Sequence, residues 1–416
     1  MGEGIPGNSD AQVVNIELMD NPEVRTRPCG GHPALHVLTL TPFYPVKGDD
    51  AFGCFVAEPL PWLQKENIRN SVMAVRPFYR KHAQASAEAF PAAPVHYCTV
   101  PGGFGLPFSG AALFAQVISR IRRLHQVEPV DLIHAHAALP CGHAALLLGR
   151  ELGIPFVVTV HGLDAFSTRQ VSGSAGKWCA RLSQSVYRAA RLVICVSEKV
   201  RSRVIEGAGN AVRATVLYNG VDPQMFSPSN QETQPDVILS VGNLIPIKGH
   251  ELLLRAFALI QDRFPGLSLE IIGDGPERAR LERLARDQGI DAKVHFRGRQ
   301  SRNQVAEAMR RAAIFALPSH YEGLGCVYLE AMSAGKPVIA CQGQEIEEVI
   351  RPGINGCLLN GDGDDPAALA NTLSSLLQQD QLRRSIGKAA RQSILQEHTQ
   401  ALHATRLARL YRECQG

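Results

Sequence analysis

The hydrophobic positions of this chain fall into short, nearly continuous apolar runs, separated by longer stretches of helical periodicity. The first run is ALHVLTL, Ala34 to Leu40, and SVMAVRP, DLIHAH, PFVVTVHG, RLVICVS and ATVLYNG follow it. Runs of this length and composition predict strands buried on both faces. Between two of them, AALFAQVISRIRRLH sets Leu113, Phe114, Val117, Ile118, Ile121 and Leu124 on one helical face. Strands alternating with helices of this length imply βαβ units and a parallel sheet.

The alternation lapses at VDPQMFSPSNQETQPD, Val221 to Asp236, which is polar, carries three prolines and has no period. It then restarts. VILSVGN leads to GHELLLRAFALIQDRF, LEIIGDG to PERARLERLARDQG, and KVHFRG to a helix near residues 302–312. AIFALPS enters a loop and short helix, and PVIAC follows. The tail from Pro366 to Arg412 reads as helical throughout. The pattern predicts an irregular extension over residues 1–33, a first domain over 34–222, a linker over 223–236, a second domain over 237–395 and a final helix over 396–416. Two successive parallel α/β units place a ligand cleft where the carboxyl ends of their strands face each other.

The chain has 416 residues, too many for a single core, which agrees with two domains. Its apolar content of 45% and charged content of 20% are those of a globular protein in water. A net charge of +4 excludes a dedicated nucleic-acid binder. The charge is uneven, however: residues 61–213 hold 18 Lys and Arg against 8 Asp and Glu. Such a surface reads either as ordinary solvated helix faces or as a basic face for anionic lipid headgroups or a phosphorylated acceptor. The ten cysteines are scattered without a CxxC pair, which fits free thiols in a reducing cytosol. No apolar run approaches the ~18 residues of a membrane span, and the N-terminus lacks the pattern of a signal peptide. The expected location is cytoplasmic, with any membrane association peripheral and on the inner face.

The candidate chemistry is concentrated in HYEGLGCVYLEAMSAGKPVIA, His320 to Ala340. Glu322 and Glu330 stand with seven residues between them, beside Gly323 and Gly325. Carboxylates accept hydrogen bonds from sugar hydroxyls, each worth about 1.5–3 kcal/mol when charged. Backbone N–H groups of Gly323, Leu324, Gly325 and Cys326 open a helix, where negative charge is favoured. Acids at a helix start also arise as solvated caps, and that plainer reading stands beside the functional one. Upstream, VILSVGNLIPIKG carries Gly242 and Asn243 at a strand end, then Lys248 before a glycine-started helix. This is a weak phosphate-binding pattern and not a Walker A loop.

Together with VTVHGLD, VICVSEKV, VLYNGVDPQMF, VGNLIPIKG, IIGDGP and VHFRG, this segment resembles glycosyltransferase family 4, retaining enzymes of the GT-B fold. The seven motifs fall in the family's order, and the resemblance spans residues 34 to about 400. It implies that Glu322 lies near the transferred sugar and that the Gly323–Cys326 backbone binds sugar hydroxyls and diphosphate. It further implies that Glu330 holds ribose hydroxyls and that Lys248 neutralises the diphosphate. Arg297 would meet the base mainly through backbone, and His161 would lie across the cleft near sugar and acceptor. The loop from Gly48 to Gly53 would border the cleft. The resemblance implies a nucleotide sugar as donor substrate, no cofactor, no metal, and a saccharide acceptor that is either lipid-linked or soluble. Relatives often carry Arg where this chain has Asn243, so one diphosphate cation is missing and its substitute is open. A silent nucleotide-sugar-binding scaffold is the competing reading from another class. His134, His136, Cys141 and His143 carry a minor metal-ligand reading, without a carboxylate or CxxC to complete a set. Asp362 and Asp364 have Asp-x-Asp spacing but read better as helix-capping acids.

Overall fold

The computed structural model describes residues 34–80, 90–101, 103–162, 164–166, 171–228, 237–360 and 365–415. The expected extension over 1–33, most of the expected linker and the Asp362–Asp364 turn lie outside the described residues.

The apolar runs form two parallel sheets. The first contains β1 (Leu35–Thr41), β2 (Ile68–Pro77), β3 (Ala93–Tyr97), β4 (Leu132–His136), β5 (Phe156–Val160), β6 (Leu192–Cys195) and β7 (Ala214–Val216), in the order β3-β2-β1-β4-β5-β6-β7. The second contains β8 (Val237–Val241), β9 (Ser268–Ile272), β10 (Val294–Gly298), β11 (Ile314–Ala316), β12 (Val338–Cys341) and β13 (Cys357–Leu359), in the order β10-β9-β8-β11-β12-β13. Every residue of β1, β4, β5 and β6 is buried, as a sheet covered by helices on both faces requires. In each sheet the chain leaves from a central strand and later returns to its other side, so a switch point falls at β1/β4 and at β8/β11. Both parallel sheets thus open a crevice at their strands' carboxyl ends.

The helices that shape this crevice begin at those ends. In the first lobe they are α1 (Cys54–Ala57), α2 (Leu60–Lys65), α3 (Leu106–Val127), α4 (His143–Leu152), α5 (Gly173–Ala189) and α6 (Glu198–Ala208). In the second they are α7 (His250–Ile260), α8 (Arg278–Asp287), α9 (Arg302–Arg311) and α10 (Cys326–Ser333). The tail is not one helix but three: α11 (Pro366–Gln378), α12 (Asp380–Glu397) and α13 (Gln400–Glu413). Thr399 caps α13 by accepting the N–H of Leu402 at 3.2 Å, so the break at His398 is a fresh helix start. There the tail crosses back to the first lobe beside the earlier crossing: Val221 donates to the His398 carbonyl at 2.9 Å, and Gln400 to that of Val221 at 3.0 Å.

Beyond the crossing, Ala404, Leu407, Ala408 and Tyr411 of α13 pack in one cluster with Leu63, Leu132 and Val157 of the first lobe. The Tyr411 hydroxyl and His134 Nδ1 share a hydrogen bond of 2.6 Å, and His134 Nε2 meets Thr159 Oγ1 at 2.7 Å. Burial pulls the pKa of His134 down to about 3, with nearby His161 and His403 adding to it, and burial likewise drives His136 well below the ordinary histidine value. Between that ordinary value of 6.5 and the folded value, the unfolded chain holds a proton that the folded protein lacks, so stability rises with pH across this window. Lowering the pH from about 7.5 to 5.5 should therefore cost about 1.4 kcal/mol for His134, with His136 acting in the same direction. Urea unfolding midpoints at the two pH values check this, and an unchanged midpoint contradicts it.

Candidate active site

A cleft of about 610 Å³ lies between the lobes. Its second-lobe wall starts where β8 ends. Gly242 and Asn243 leave the strand, a tight turn carries Pro246 to Lys248, and Gly249 starts α7 with φ 71°. A side chain at Gly249 would collide with the Pro318 carbonyl, so this glycine is what lets the Lys248 turn sit against the loop before α10. Lys248 Nζ reaches Glu322 Oε1 at 2.5 Å, and Ser319 Oγ donates to the same oxygen at 2.9 Å. Gly325, at φ 71° and ψ 71°, caps α10 and presents the loop's backbone to the cleft. Glu330 sits one helical face deeper, buried.

The first lobe supplies the facing wall through Asp49, Phe52, Gly53 and His161. Gly53 has φ 71°, and a Cβ there would strike the backbone of Phe43. The two walls touch at a pair of glycines. A Cβ on Gly323 would come within 2.0 Å of the His161 carbonyl, and one on Gly162 within 2.8 Å of the Tyr321 hydroxyl. His161 is held from behind: its N–H donates to Asp164 at 2.9 Å, and its Nε2 meets His136 Nδ1 at 3.0 Å. The rings of Phe43 and Phe55 lie 5.5 and 4.7 Å from it. Burial, with His403 adding, lowers the pKa of His161 to about 3, so its ring is neutral at ordinary pH.

Most of the residues singled out from the sequence thus converge: Gly242, Asn243, Lys248, Glu322, Gly323, Leu324, Gly325, Cys326, Glu330, His161 and Gly53 all line one cleft. Gly48 belongs to the bordering loop but not to the lining. Arg297 is the exception. Its side chain leaves the cleft to pair with Glu270 of β9 at 2.8 Å, and its neighbours Arg299 and Gln300 line the wall there instead. β10 ends at Gly298, whose φ of 68° turns the chain, so Arg299 and Gln300 follow the strand rather than continue it; the side-chain pairing leaves the expected backbone contact of Arg297 untouched. Cys326 is unsuited to nucleophilic work, because burial pushes its thiol up to about 12 while Asn219 donates to the sulfur at 3.2 Å. The histidine–cysteine metal reading dissolves as well. Both ring nitrogens of His134 are engaged by Tyr411 and Thr159, Cys141 lies in the apolar core, and His143 packs against Gly110 of α3.

Sequence reasoning missed three residues. Arg299, Arg302 and Glu58 come to the cleft through ion pairs: Arg299 with Asp49 and Arg302 with Glu58 at 2.6 Å, both across the lobes, and Arg302 with Glu330 of its own lobe. The signal available was the capping box of Ser301 and Gln304, which fixes the start of α9 and hence the place of Arg302.

Comparison with known proteins agrees with this geometry. The family described as Glycosyl transferases group 1 matches residues 222–393, and Glycosyltransferase Family 4 matches residues 63–225. A D-inositol 3-phosphate glycosyltransferase of Frankia alni is 30% identical over 300 residues, covering 67% of this chain and 73% of that one. The chain belongs to glycosyltransferase family 4. The sulfoquinovosyl transferase of Arabidopsis thaliana is likewise 30% identical, over 68% of this chain and 56% of its own length. Among solved structures, a sucrose-phosphate synthase from Thermosynechococcus elongatus superposes with a TM-score of 0.72 at 20% identity, covering 91% of this chain and 98% of that one. Anabaena HepE, solved in complex with UDP, gives 0.71 at 20% identity over 91% and 100%. These neighbours show the GT-B fold of the chain.

The geometry of Gly325 makes a direct prediction. Gly325→Ala puts a Cβ against the Tyr328 ring in a backbone region that alanine avoids. It should destabilise the protein by about 1–3 kcal/mol and weaken nucleotide binding at the same time. Chemical denaturation and calorimetric titration check the pair of effects, and a variant with wild-type values in both refutes the assigned loop role.

Proposed function

We propose that this glycosyltransferase moves a hexose from a nucleotide-diphosphate sugar to a hydroxyl of a saccharide acceptor, with retention and without a metal. The observation that carries the reading is the Lys248–Glu322 ion pair, buried at the cleft wall beside the N–H groups that open α10. Lys248 is then the cation for the diphosphate. An arriving phosphate replaces Glu322 on Lys248, and the released carboxylate takes up hydroxyls of the sugar. As the anomeric C–O bond breaks, charge grows on the leaving phosphate, and preorganised donors aimed at it are the largest catalytic contribution. Lys248 and the backbone around Gly325 are such donors. The new bond forms on the face the phosphate leaves, and the departing phosphate oxygen takes the acceptor's proton. Glu322 positions the sugar and supports its developing positive charge, and Glu330 holds the ribose. Neutral His161, across the cleft, offers a ring nitrogen to sugar or acceptor hydroxyls.

The acceptor in this reading is a lipid-linked saccharide in polysaccharide assembly, met at the inner membrane face. Support comes from the basic excess of residues 61–213 and from exposed Val100, Phe104, Phe108 and Trp178 on the first lobe, the last two with rings 4.6 Å apart. Aromatic and basic side chains together suit a lipid headgroup region. A soluble sugar phosphate is the second reading, favoured by the relatives described as D-inositol 3-phosphate glycosyltransferases. Among the described residues, no helix is long and apolar enough to cross a membrane.

The test is a transfer assay over UDP-, GDP- and ADP-sugars with a lipid-linked saccharide and a soluble sugar phosphate as acceptors. Turnover with one donor and the lipid-linked acceptor is expected, the product keeping the donor's anomeric configuration by NMR. Lys248→Ala should lower kcat by about 2.7–4 kcal/mol in barrier, the scale of one removed oxyanion donor, while remaining folded. Unchanged kinetics would remove Lys248 from the reaction, inversion would overturn the retaining mechanism, and a glycosyl adduct on Glu322 would replace its positioning role with a nucleophilic one.

A further inference from the structure

Arg302 is the most heavily committed side chain at the cleft. It is 8% exposed although it carries a full charge. One arm of its guanidinium pairs with Glu330, and the other takes Glu58 Oε1 through Nε at 3.0 Å and Nη2 at 2.6 Å. Its plane lies over the Phe226 ring, 4.8 Å from the centroid, and its backbone N–H donates to Asp50 at 2.9 Å. Glu58 is fastened in turn by Gln400, which donates to its second oxygen at 3.2 Å. Glu58 and Asp50 belong to the first lobe, Glu330 to the second, and Gln400 to the returning tail. One buried arginine therefore ties the first lobe to the carboxylate assigned to the ribose.

This arrangement does not make Arg302 the missing diphosphate cation. A planar fork already bridging two carboxylates has little field left for a third anion. Its effect falls on Glu330. A carboxylate this deep is fixed in direction by the guanidinium it pairs with, and a fixed carboxylate offers acceptors to two neighbouring hydroxyls. We propose that Arg302 is a positioning residue that holds the Glu330 carboxylate aimed at the ribose hydroxyls, and that Glu58 of the opposite lobe holds Arg302, so the ribose site is built from both lobes. The inference rests on the assignment of Glu330 to the ribose.

Removing the guanidinium leaves two buried carboxylates without the group that bridges them, so Glu330 loses its fixed direction. Lysine at 302 keeps the charge but cannot span both acids as a flat fork does. Binding is measured by calorimetry for whichever of UDP, GDP and ADP the wild type prefers, and for its 2′-deoxy form. The wild type should favour the ribonucleotide by about tenfold or more, the scale of one hydrogen bond to a charged group. In Arg302→Lys and Arg302→Met that preference should fall to about twofold or less, and in Glu58→Leu it should drop to an intermediate value. Loss of fold alone does not produce a selective loss of the 2′-hydroxyl preference, and Arg302→Lys decides the matter if Arg302→Met fails to fold. A folded Arg302→Lys protein that keeps the wild-type preference overturns the inference and leaves Glu330 in place. A Glu58→Leu protein with full preference overturns the cross-lobe half. A wild type with no preference overturns the ribose assignment itself, and the inference with it.

Discussion

Carboxylates taken out of water must face cations, and the cleft of this protein is organised around that requirement. Glu322 faces Lys248 and Glu330 faces Arg302, while at the more exposed rim Asp49 pairs with Arg299. Three acids and three bases among the cleft-lining residues leave the wall close to neutral. Under the proposed function, a dianionic diphosphate enters by exchange, displacing an internal carboxylate from its partner. The Lys248–Glu322 pair is placed for this exchange, its two members being the residues the proposal gives to the diphosphate and the sugar. Preorganisation follows: the groups are already oriented, and substrate replaces one set of charged hydrogen bonds with another.

The same requirement ties the lobes together. Arg302 reaches Glu58 over 244 positions of sequence, and Glu348 accepts the first N–H groups of α6, at 2.8 Å from Glu198 and 3.0 Å from Lys199. The second contact is a carboxylate at a helix N-terminus, where the backbone dipoles favour it. The facing glycines 162 and 323 let the loops approach more closely than side chains would allow. The returning helix α13 seals the first lobe through Tyr411 and supports the histidine row behind His161. Fold and site thus share residues, and the tail of the chain is part of the active-site scaffold.

Much of this was legible in the sequence because the central strands are buried on both faces and therefore read as unbroken apolar runs. The edges were harder. β3 carries Pro94 and β13 spans three residues, so neither has enough pattern to stand out, and an edge is where a strand tolerates proline. The breaks at Gln379 and His398 contain no glycine or proline; a final helix was set off from the sequence at residue 396, but α11 was not separated from α12. Lys248, Glu322 and Glu330 were legible because they stand at a strand end and a helix start inside motifs that resemble the family's. Arg302 and Glu58 were not, since no local period links a residue of one lobe to a residue of the other. Arg297 read from its motif as a backbone contact to the base; its side chain pairs with Glu270 outside the cleft lining.

The central claim is that donor binding falls on two separated segments at once: the turn from Gly242 to Gly249 and the loop and helix start from Glu322 to Glu330. Backbone hydrogen exchange with and without a saturating nucleotide sugar measures this directly. The account predicts slowed exchange concentrated in those two segments, with the far edge strand β13 unchanged. Protection confined to one segment, or spread evenly over both lobes, would contradict it.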